Sequence, residues 1–332
     1  MTAPQGEAPS DMHESGEMHN SDWDVVIVGG GSAGLSAAIM LGRSRRRVLV
    51  VDGGEPRNRV AGHMHGVLGR DHTSPLDLLA AGRAELARYD GVVIVSGAVA
   101  FAAELDTEAI GFEVVLASGE RHTTRRILVA TGLYDRLPGI PGLAELWGSG
   151  VVSCPYCDGW EVRDRRIAVI PTSAANAHQA QLLRQLSDDV AFHVAGITLP
   201  HGARGALEAR GIAIEDRPVA EVLADAKGAL RAIRYEDGTE REVDAIFTAP
   251  RPEPNDDVLR ELGARRMRND GVDWVLVDED GRTSIRGVWA AGNVVSARAT
   301  VPMAMAAGNA AGAGINAELI DDDIREAVAA AR

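Results

Sequence analysis

The sequence predicts an α/β protein built from two nucleotide-binding units, and three observations carry that expectation. A short valine-rich run, Trp23 to Val28, flows into Gly29-Gly30-Gly31-Ser32-Ala33-Gly34 and then into an alanine-rich stretch, Leu35 to Gly42. A second short apolar run, Arg166 to Ile170, starts a similar alternation later in the chain. The Gly/Pro-rich stretch Leu137 to Gly150 and the segment around Asn269 read as two crossings between the units. At 332 residues the chain is longer than one hydrophobic core usually fills, so two domains are the default.

Strand, G-x-G-x-x-G and helix in that order form the dinucleotide-binding fingerprint, so the first unit is read as Rossmann-like. Gly29 permits the tight turn, Gly31 lets a pyrophosphate approach the backbone, and Gly34 lets helix and strand pack closely. Ser32 and Ala33 then open a helix whose N-terminus faces the phosphates with partial positive charge. A second strand, Val48 to Val51, ends at Asp52, 18 residues after Gly34 and close to the spacing of a ribose-binding acid. Without that strand, helix and acid, the glycines would read as a turn in any α/β protein. The polar loop Gly53 to Arg59, including Asn58, is placed to line the cofactor. Leu76 to Tyr89 reads as an amphipathic helix; Val92 to Val95, Gly111 to Leu116 and Ile127 to Ala130 read as strands. The last of these ends in Ala130-Thr131-Gly132, where small residues let backbone approach a ligand.

The second unit departs from the first. After Ile170 the chain reads Pro171 to His178 without a glycine, and Pro171 removes a backbone N–H. After the strand Val190 to Ala195, Gly196 to Gly202 lacks the Arg or Lys that a 2′-phosphate of NADP meets. This unit is expected to keep its fold and not to bind NAD(P)H. Leu230 to Tyr235 and Val243 to Thr248 read as strands, Pro250 to Asp257 as a Pro-rich loop, and Trp274 to Val277 as another strand. Gly287 to Asn293 reads as a strand ending in a tight turn at Gly292-Asn293. Thr300 then suits an N-cap, Val301 and Pro302 a first turn, and Met303 to Leu319 a small-residue helix, with a short frayed helix from Asp321. The expected boundaries are a disordered tail over 1–22, a discontinuous first unit over 23–137 and 268–322, and the second unit over 138–267.

Cys154-Pro155-Tyr156-Cys157-Asp158-Gly159 holds the only two cysteines. Such a pair can close and open a small disulfide ring, with the thiolate as the reactive form. The alternatives are half of a zinc site or two inert core cysteines. A structural zinc site takes four Cys/His ligands, and no second Cys pair exists. Asp158 can shuttle a proton to a thiol, or simply cap a turn. His63, His65 and His72 can act as acids or bases, but each alone reads as a surface or packing residue. Their spacing matches no metal motif, and no metal site is expected. His13, Met18 and His19 could touch a soft metal, although a solvated tail is the plainer reading.

The net charge of −14 disfavours nucleic acid as a partner. Hydrophobic content of 45% and charged content of 25% fit a globular protein, and no apolar run is long enough to span a bilayer. The N-terminal segment lacks the apolar core of a signal peptide. With too few cysteines for a secreted disulfide framework, the expected location is cytoplasmic.

In Gly29 to Gly34, Asp52, Ala130 to Gly132, Cys154 to Gly159 and Gly287 to Asn293, the chain resembles the low-molecular-weight thioredoxin reductase family of flavoproteins. That resemblance implies an FAD domain interrupted by a smaller NADPH-domain-like insert carrying the Cys pair, with FAD in the first site and a homodimer as the assembly. The Thr300 helix end would face the negative charge of a reduced flavin. Four departures stand out: the missing NADPH glycines, the missing basic cluster, Gly292-Asn293 in place of Gly-Asp, and the middle residues of the Cys pair. Together they resemble the dithiol oxidases of disulfide-containing natural products, the holomycin and gliotoxin type. The resemblance then implies oxidation of a small-molecule dithiol through Cys154 and Cys157, with Cys157 beside the flavin and O2 as acceptor, giving H2O2. Two other readings stay open: an NADPH-dependent reductase of thioredoxin or another disulfide, and a flavin redox sensor without turnover.

Overall fold

Valine runs become strands here because they are covered on both faces. In β1 (Trp23–Val28), Val25, Val26 and Ile27 are fully buried. The structure is a computed structural model that describes residues 22–106, 109–194 and 196–332. The expected tail therefore lies outside the described residues, with His13, Met18 and His19, except Asp22, whose backbone N–H donates to Thr123 Oγ1.

From β1 the chain turns into α1 (Ser32–Arg43) and returns as β2 (Val48–Asp52). After a long loop come α2 (Pro75–Leu86), β3 (Val92–Ser96), β4 (Val99–Glu104), β5 (Phe112–Leu116) and β6 (Arg121–Val129). These strands lie in the order β3-β2-β1-β6-β5-β4. The register aligns Val25 with Val48 and Ile27 with Leu128, in parallel ladders. β6 is longer than its apolar end suggests: Arg121–Thr124 pairs antiparallel with β5, and Ile127–Val129 is left for a later strand.

β7 (Leu133–Arg136) then leads to the second sheet, made of β8 (Val151–Val152), α3 (Pro155–Asp158), β9 (Ile167–Ile170), α4 (Asn176–Leu183), β10 (Val190–His193), α5 (Ala203–Ala209) and β11 (Ala213–Glu215). Three antiparallel strands follow, β12 (Val219–Ala224), β13 (Leu230–Tyr235) and β14 (Glu240–Glu242), before β15 (Ala245–Thr248) rejoins that sheet. Its order is β11-β10-β9-β15-β8, all parallel. One face packs Phe192, Phe247, Leu183 and Leu207 under α4 and α5; the other packs Ile170 and Ile246 against Val222, Ile233 and Tyr235 of the three-stranded layer. The architecture is thus α/β, with one mixed seven-stranded sheet, antiparallel at its β6-β5-β4 end, and one parallel five-stranded sheet.

The Pro-rich stretch after β15 is not a plain loop. It forms β16 (Arg251–Pro254), antiparallel to β7, and then α6 (Asp257–Glu261). A two-stranded ribbon has two free edges, so Pro252 and Pro254 forfeit no central ladder bond. The Arg136 guanidinium clasps Glu253 across it, Nε to Oε1 at 2.6 Å. Val258, Leu259 and Ala264 already pack with Val26 and Phe112 under the larger sheet, so that packing resumes before the crossing read near Asn269.

β17 (Arg266–Asn269) and β18 (Val272–Val275) form a hairpin, and β19 (Val288–Ala290) completes the larger sheet beside β6. α7 (Val301–Ala330) is one helix, where the sequence reading ends a first helix at Leu319 and frays a second. No Gly or Pro interrupts Asp321 to Ala330, and the acidic turn is anchored. Arg126, 1% exposed, donates to Glu318 and Asp322, while Arg46 and Arg125 both bond Asp323. No helix among the described residues is long and apolar enough to cross a membrane.

α1 and α7 pack along their small residues. A Cβ on Gly308 would lie 2.0 Å from the Ala33 carbonyl oxygen, and one on Gly312 would lie 2.9 Å from that of Ala37. Gly308→Ala gains about 1 kcal/mol of helix propensity but forces the helices apart, and overpacking of this kind costs about 1–3 kcal/mol. The clash is with rigid backbone, so net destabilisation is expected. It would be read as a lower urea midpoint; a midpoint equal to or above wild type contradicts this account.

Candidate active site

The turn after β1 is tight because no side chain would fit. Gly29 has φ +109° and donates to the Val51 carbonyl at 2.8 Å. A Cβ there would lie 2.4 Å from the Ala130 oxygen, and one on Gly34 would lie 1.9 Å from the Gly29 oxygen. The sequence reading assigns no task to Gly30, yet a Cβ there would lie 2.5 Å from Cγ of Asp52. Gly31 is different: nothing lies within 4 Å of its missing Cβ. As N-cap of α1 it offers no side-chain acceptor, so the first-turn amides at Ser32 and Ala33 face that opening. Open space over Gly31 and an uncapped helix N-terminus fit a dinucleotide pyrophosphate.

Asp52 braces this turn. Its Oδ1 accepts from the Gly30 and Gly54 N–H groups, at 3.3 and 3.0 Å, and its Oδ2 from Arg83 at 2.5 Å. Burial pushes the carboxyl up, but the bonds from Gly54, Arg83 and Gly30 outweigh it and hold the pKa below the ordinary value. A carboxylate has about four acceptor sites, so a ribose hydroxyl can still be added. Gly53 is exposed and Asn58 half-buried in the loop that follows. The residue that anchors this loop is Arg57, which the sequence reading passes over. It makes a bidentate bond to Asp135 at 2.7 and 2.8 Å and reaches the Ala297 carbonyl at 3.0 Å. An arginine inside a polar loop carries no spacing signal that would expose this role.

Thr131 and Gly132 are pinned by Asn255, whose backbone N–H donates to the Gly132 carbonyl and whose side chain donates to that of Thr131. Gly292, with φ +79°, would carry a Cβ 3.0 Å from that of Ala33. Asn293 uses its amide nitrogen twice, donating to the carbonyls of Ser296 and Ala299 at 2.9 and 3.0 Å. An aspartate could not donate, which accounts for Asn where Gly-Asp is expected. Those bonds shape the lead into α7. Its N-cap Thr300 makes no side-chain cap, as at α1, although Pro302 leaves this first turn one N–H fewer. The turns at Gly31, Gly132 and Gly292 and the start of α7 thus converge on one opening, and its residues fit FAD.

Cys154 and Cys157 are joined as a disulfide across a single turn, with Cα atoms 5.2 Å apart. Cys154 is the N-cap of α3, and its carbonyl accepts from Cys157 and Asp158. Gly159 lets this turn seat, since a Cβ would lie 2.4 Å from the Pro155 oxygen and 2.6 Å from Leu186. Tyr156, within the Cys turn, and Trp160, just after it, stand exposed and line a groove with Leu182 and Leu186. The histidine loop reaches this turn: His65 Nε2 lies 3.3 Å from Glu161 Oε1, and a Cβ on Gly148 would touch Val60. His72 packs on His65 at 4.5 Å but stays exposed.

Asp158 feels this company. Burial pushes its carboxyl up to about 6; His63 and His65 pull it down and Glu161 adds to the rise. A carboxyl of that pKa exchanges protons near neutrality.

In the second sheet, the turn after β9 is filled from within. Asn176 Oδ1 accepts the N–H groups of Thr172 and Ser173 at 3.0 and 3.1 Å, and Thr172 Oγ1 donates to the Ala249 carbonyl. Asn176 Nδ2 then donates to Gln179 Oε1, and Gln179 Nε2 to the carbonyl of Ser153, next to Cys154.

One prediction follows from Asp158. Its folded pKa of about 6 lies above the ordinary value of 3.8, so the folded chain binds more protons between those values. The stability this contributes is complete below 3.8 and is lost as pH rises through about 6. Asp158→Asn should therefore melt higher than wild type above that window and lose the advantage below it. Thermal midpoints across the range check this; a constant difference would contradict it.

Comparison with known proteins agrees with this geometry. The profile of the pyridine nucleotide-disulphide oxidoreductase family matches residues 23–308. Thioredoxin reductase tcpT of Claviceps purpurea (strain 20.1) is 33% identical over 307 residues, covering 90% of this chain and 95% of that protein. Thioredoxin reductase aclD of Aspergillus oryzae (strain ATCC 42149 / RIB 40) is 31% identical, over 91% and 98%. The crystal structure of HlmI superposes with a TM-score of 0.89 at 40% identity, over 96% of this chain and 98% of that one. Membership implies that the protein binds FAD. The chain belongs to the pyridine nucleotide-disulphide oxidoreductase family and is a thioredoxin reductase-like flavin disulfide oxidoreductase.

Proposed function

We propose that this enzyme is an FAD-dependent dithiol oxidase that closes an intramolecular disulfide in a small natural product of the holomycin or gliotoxin type. The observation that carries the direction of the reaction is Asn176. Its side chain occupies the amides that a nicotinamide dinucleotide's pyrophosphate would need, so electrons enter from the dithiol and not from NAD(P)H. The exposed rings of Tyr156, in the Cys turn, and Trp160, just after it, support a flat organic substrate.

In this reading a substrate thiolate attacks Cys154 Sγ, the Cys154–Cys157 bond breaks, and Cys157 leaves as a thiolate. Asp158, with its raised pKa, returns a proton to that sulfur. The second substrate thiol then attacks the substrate sulfur of the mixed disulfide, releasing Cys154 and the cyclic product. Holding both thiols in one site makes this step effectively unimolecular. FAD supplies a two-electron acceptor for the reduced pair, with O2 as final oxidant and H2O2 as its product. Gly292, Asn293, Thr300 and Val301 shape the walls of that site, and Gly29 to Gly34, Asp52, Thr131 and Gly132 its phosphate and ribose end.

We take the assembly to be a homodimer. Ile320, Ile324 and Val328 support this, forming an exposed apolar stripe at four-residue spacing on α7.

Cys154→Ser and Cys157→Ser should each keep bound FAD and lose dithiol-dependent oxygen uptake at least a hundredfold. Native-rate turnover by either variant would overturn the mechanism. Separately, anaerobic holoenzyme should bleach its flavin with a small dithiol and remain yellow with excess NADPH. Rapid bleaching by NADPH would favour the reductase reading, and bleaching by neither would favour the redox sensor.

A further inference from the structure

The loop between β2 and α2 does more than border the Cys turn. His63 and His65 have ring centroids 4.9 Å apart. Their Nε2 atoms, and Oε2 of Glu161, are shut off from solvent without a hydrogen-bond partner. Leaving such an atom buried and unpaired costs about 1–3 kcal/mol each. One donor atom from each of the three residues lies within 4.8 Å of the others. His65 Nε2 and Glu161 Oε1 are 3.3 Å apart, yet they make no hydrogen bond. Ligands held about 2.0–2.1 Å from a tetrahedral zinc ion sit about 3.3–3.4 Å from one another.

The support behind His65 fits the same chemistry. Its other ring nitrogen, Nδ1, lies 3.1 Å from Asp71 Oδ1, and that oxygen also accepts the Gly66 N–H. A carboxylate on the far nitrogen fixes the tautomer and presents Nε2 as a metal donor. No motif spacing reveals this arrangement, because Glu161 lies far along the chain from the histidines.

We infer that His63, His65 and Glu161 form a site for a divalent cation of the zinc class, with one coordination position left open. Two imidazoles and one carboxylate are a donor set that zinc accepts. The ion joins the loop after β2 to the segment just beyond Gly159, so it clamps the Cys turn against the larger sheet. The proposed sulfur exchange does not itself use the ion, since neither sulfur is a ligand, but a dication held by these three residues would lower the pKa of the Asp158 carboxyl, which already feels all of them.

Zinc titration of the full-length, disulfide-oxidised holoenzyme by calorimetry tests it. The expected result is one equivalent bound with a raised melting temperature. Affinity should fall at least tenfold in His63→Ala and Glu161→Gln, and about 10–100-fold in Asp71→Asn, which removes only the supporting carboxylate. The His13→Ala/His19→Ala double variant, which removes competing imidazoles, should keep that equivalent. No binding by wild type, undiminished binding by the site variants, or loss in the double variant would each overturn the site. Should a site variant fail to fold, cobalt binding to wild type decides: an intense tetrahedral d–d absorption supports the site, and its absence refutes it.

Discussion

The fold rests on a place where backbone meets backbone with no room for a side chain. Gly29 lies against the Ala130 carbonyl, Gly34 against Gly29, and Gly308 against Ala33. Each contact brings a different element to one point: β6, α1, and α7 from far along the chain. A single added methyl there would separate parts that the hydrophobic core wants together. Because these contacts are backbone, they cannot relax by a rotamer change. The buried Arg126 with its two carboxylates, Glu318 and Asp322, then fixes the other half of α7. Close packing thus places two helix N-termini around one opening.

The second sheet repeats the scaffold but answers its turn differently. In the first sheet, α1's amides and the space over Gly31 await a ligand. In the second, Asn176 supplies the acceptor from within, and Gln179 passes the connection on to Ser153 beside the sulfurs. Satisfied amides have little left to offer an incoming phosphate. The Cys turn sits between these two answers, with Asp158 made a weaker acid by burial and the histidine loop packed against it.

Much of this was legible beforehand where a residue type has one physical use. Glycines at fixed spacing after a valine strand mean close backbone approach, and Gly29, Gly31 and Gly34 take those positions. Val48 and Thr248 fall at the observed strand ends for the same reason: runs buried on both faces leave a plain apolar signature. Polar edge strands leave none. β16, read as a loop because of Pro252 and Pro254, pairs with β7 since a ribbon tolerates prolines that a central strand does not. Long-range polar pairings were equally invisible. Arg57 with Asp135, Arg83 with Asp52, and Glu161 with His65 join residues whose spacing carries no pattern. The identity of Asn293 was noticed as a departure, but its reason, two donated bonds, needed the turn's geometry.

The amide of Asn176 also bears on how reversible this architecture is. Reinstating one glycine in the segment 171–178 would not by itself clear this turn, because Asn176 fills it. The side chain that fills the turn also steadies the link between β8 and the Cys turn, through Gln179 and Ser153. Removing it would free two backbone amides and, in the same stroke, loosen the segment that leads into the Cys turn. Two traits that evolution could otherwise tune separately are joined here by a single amide.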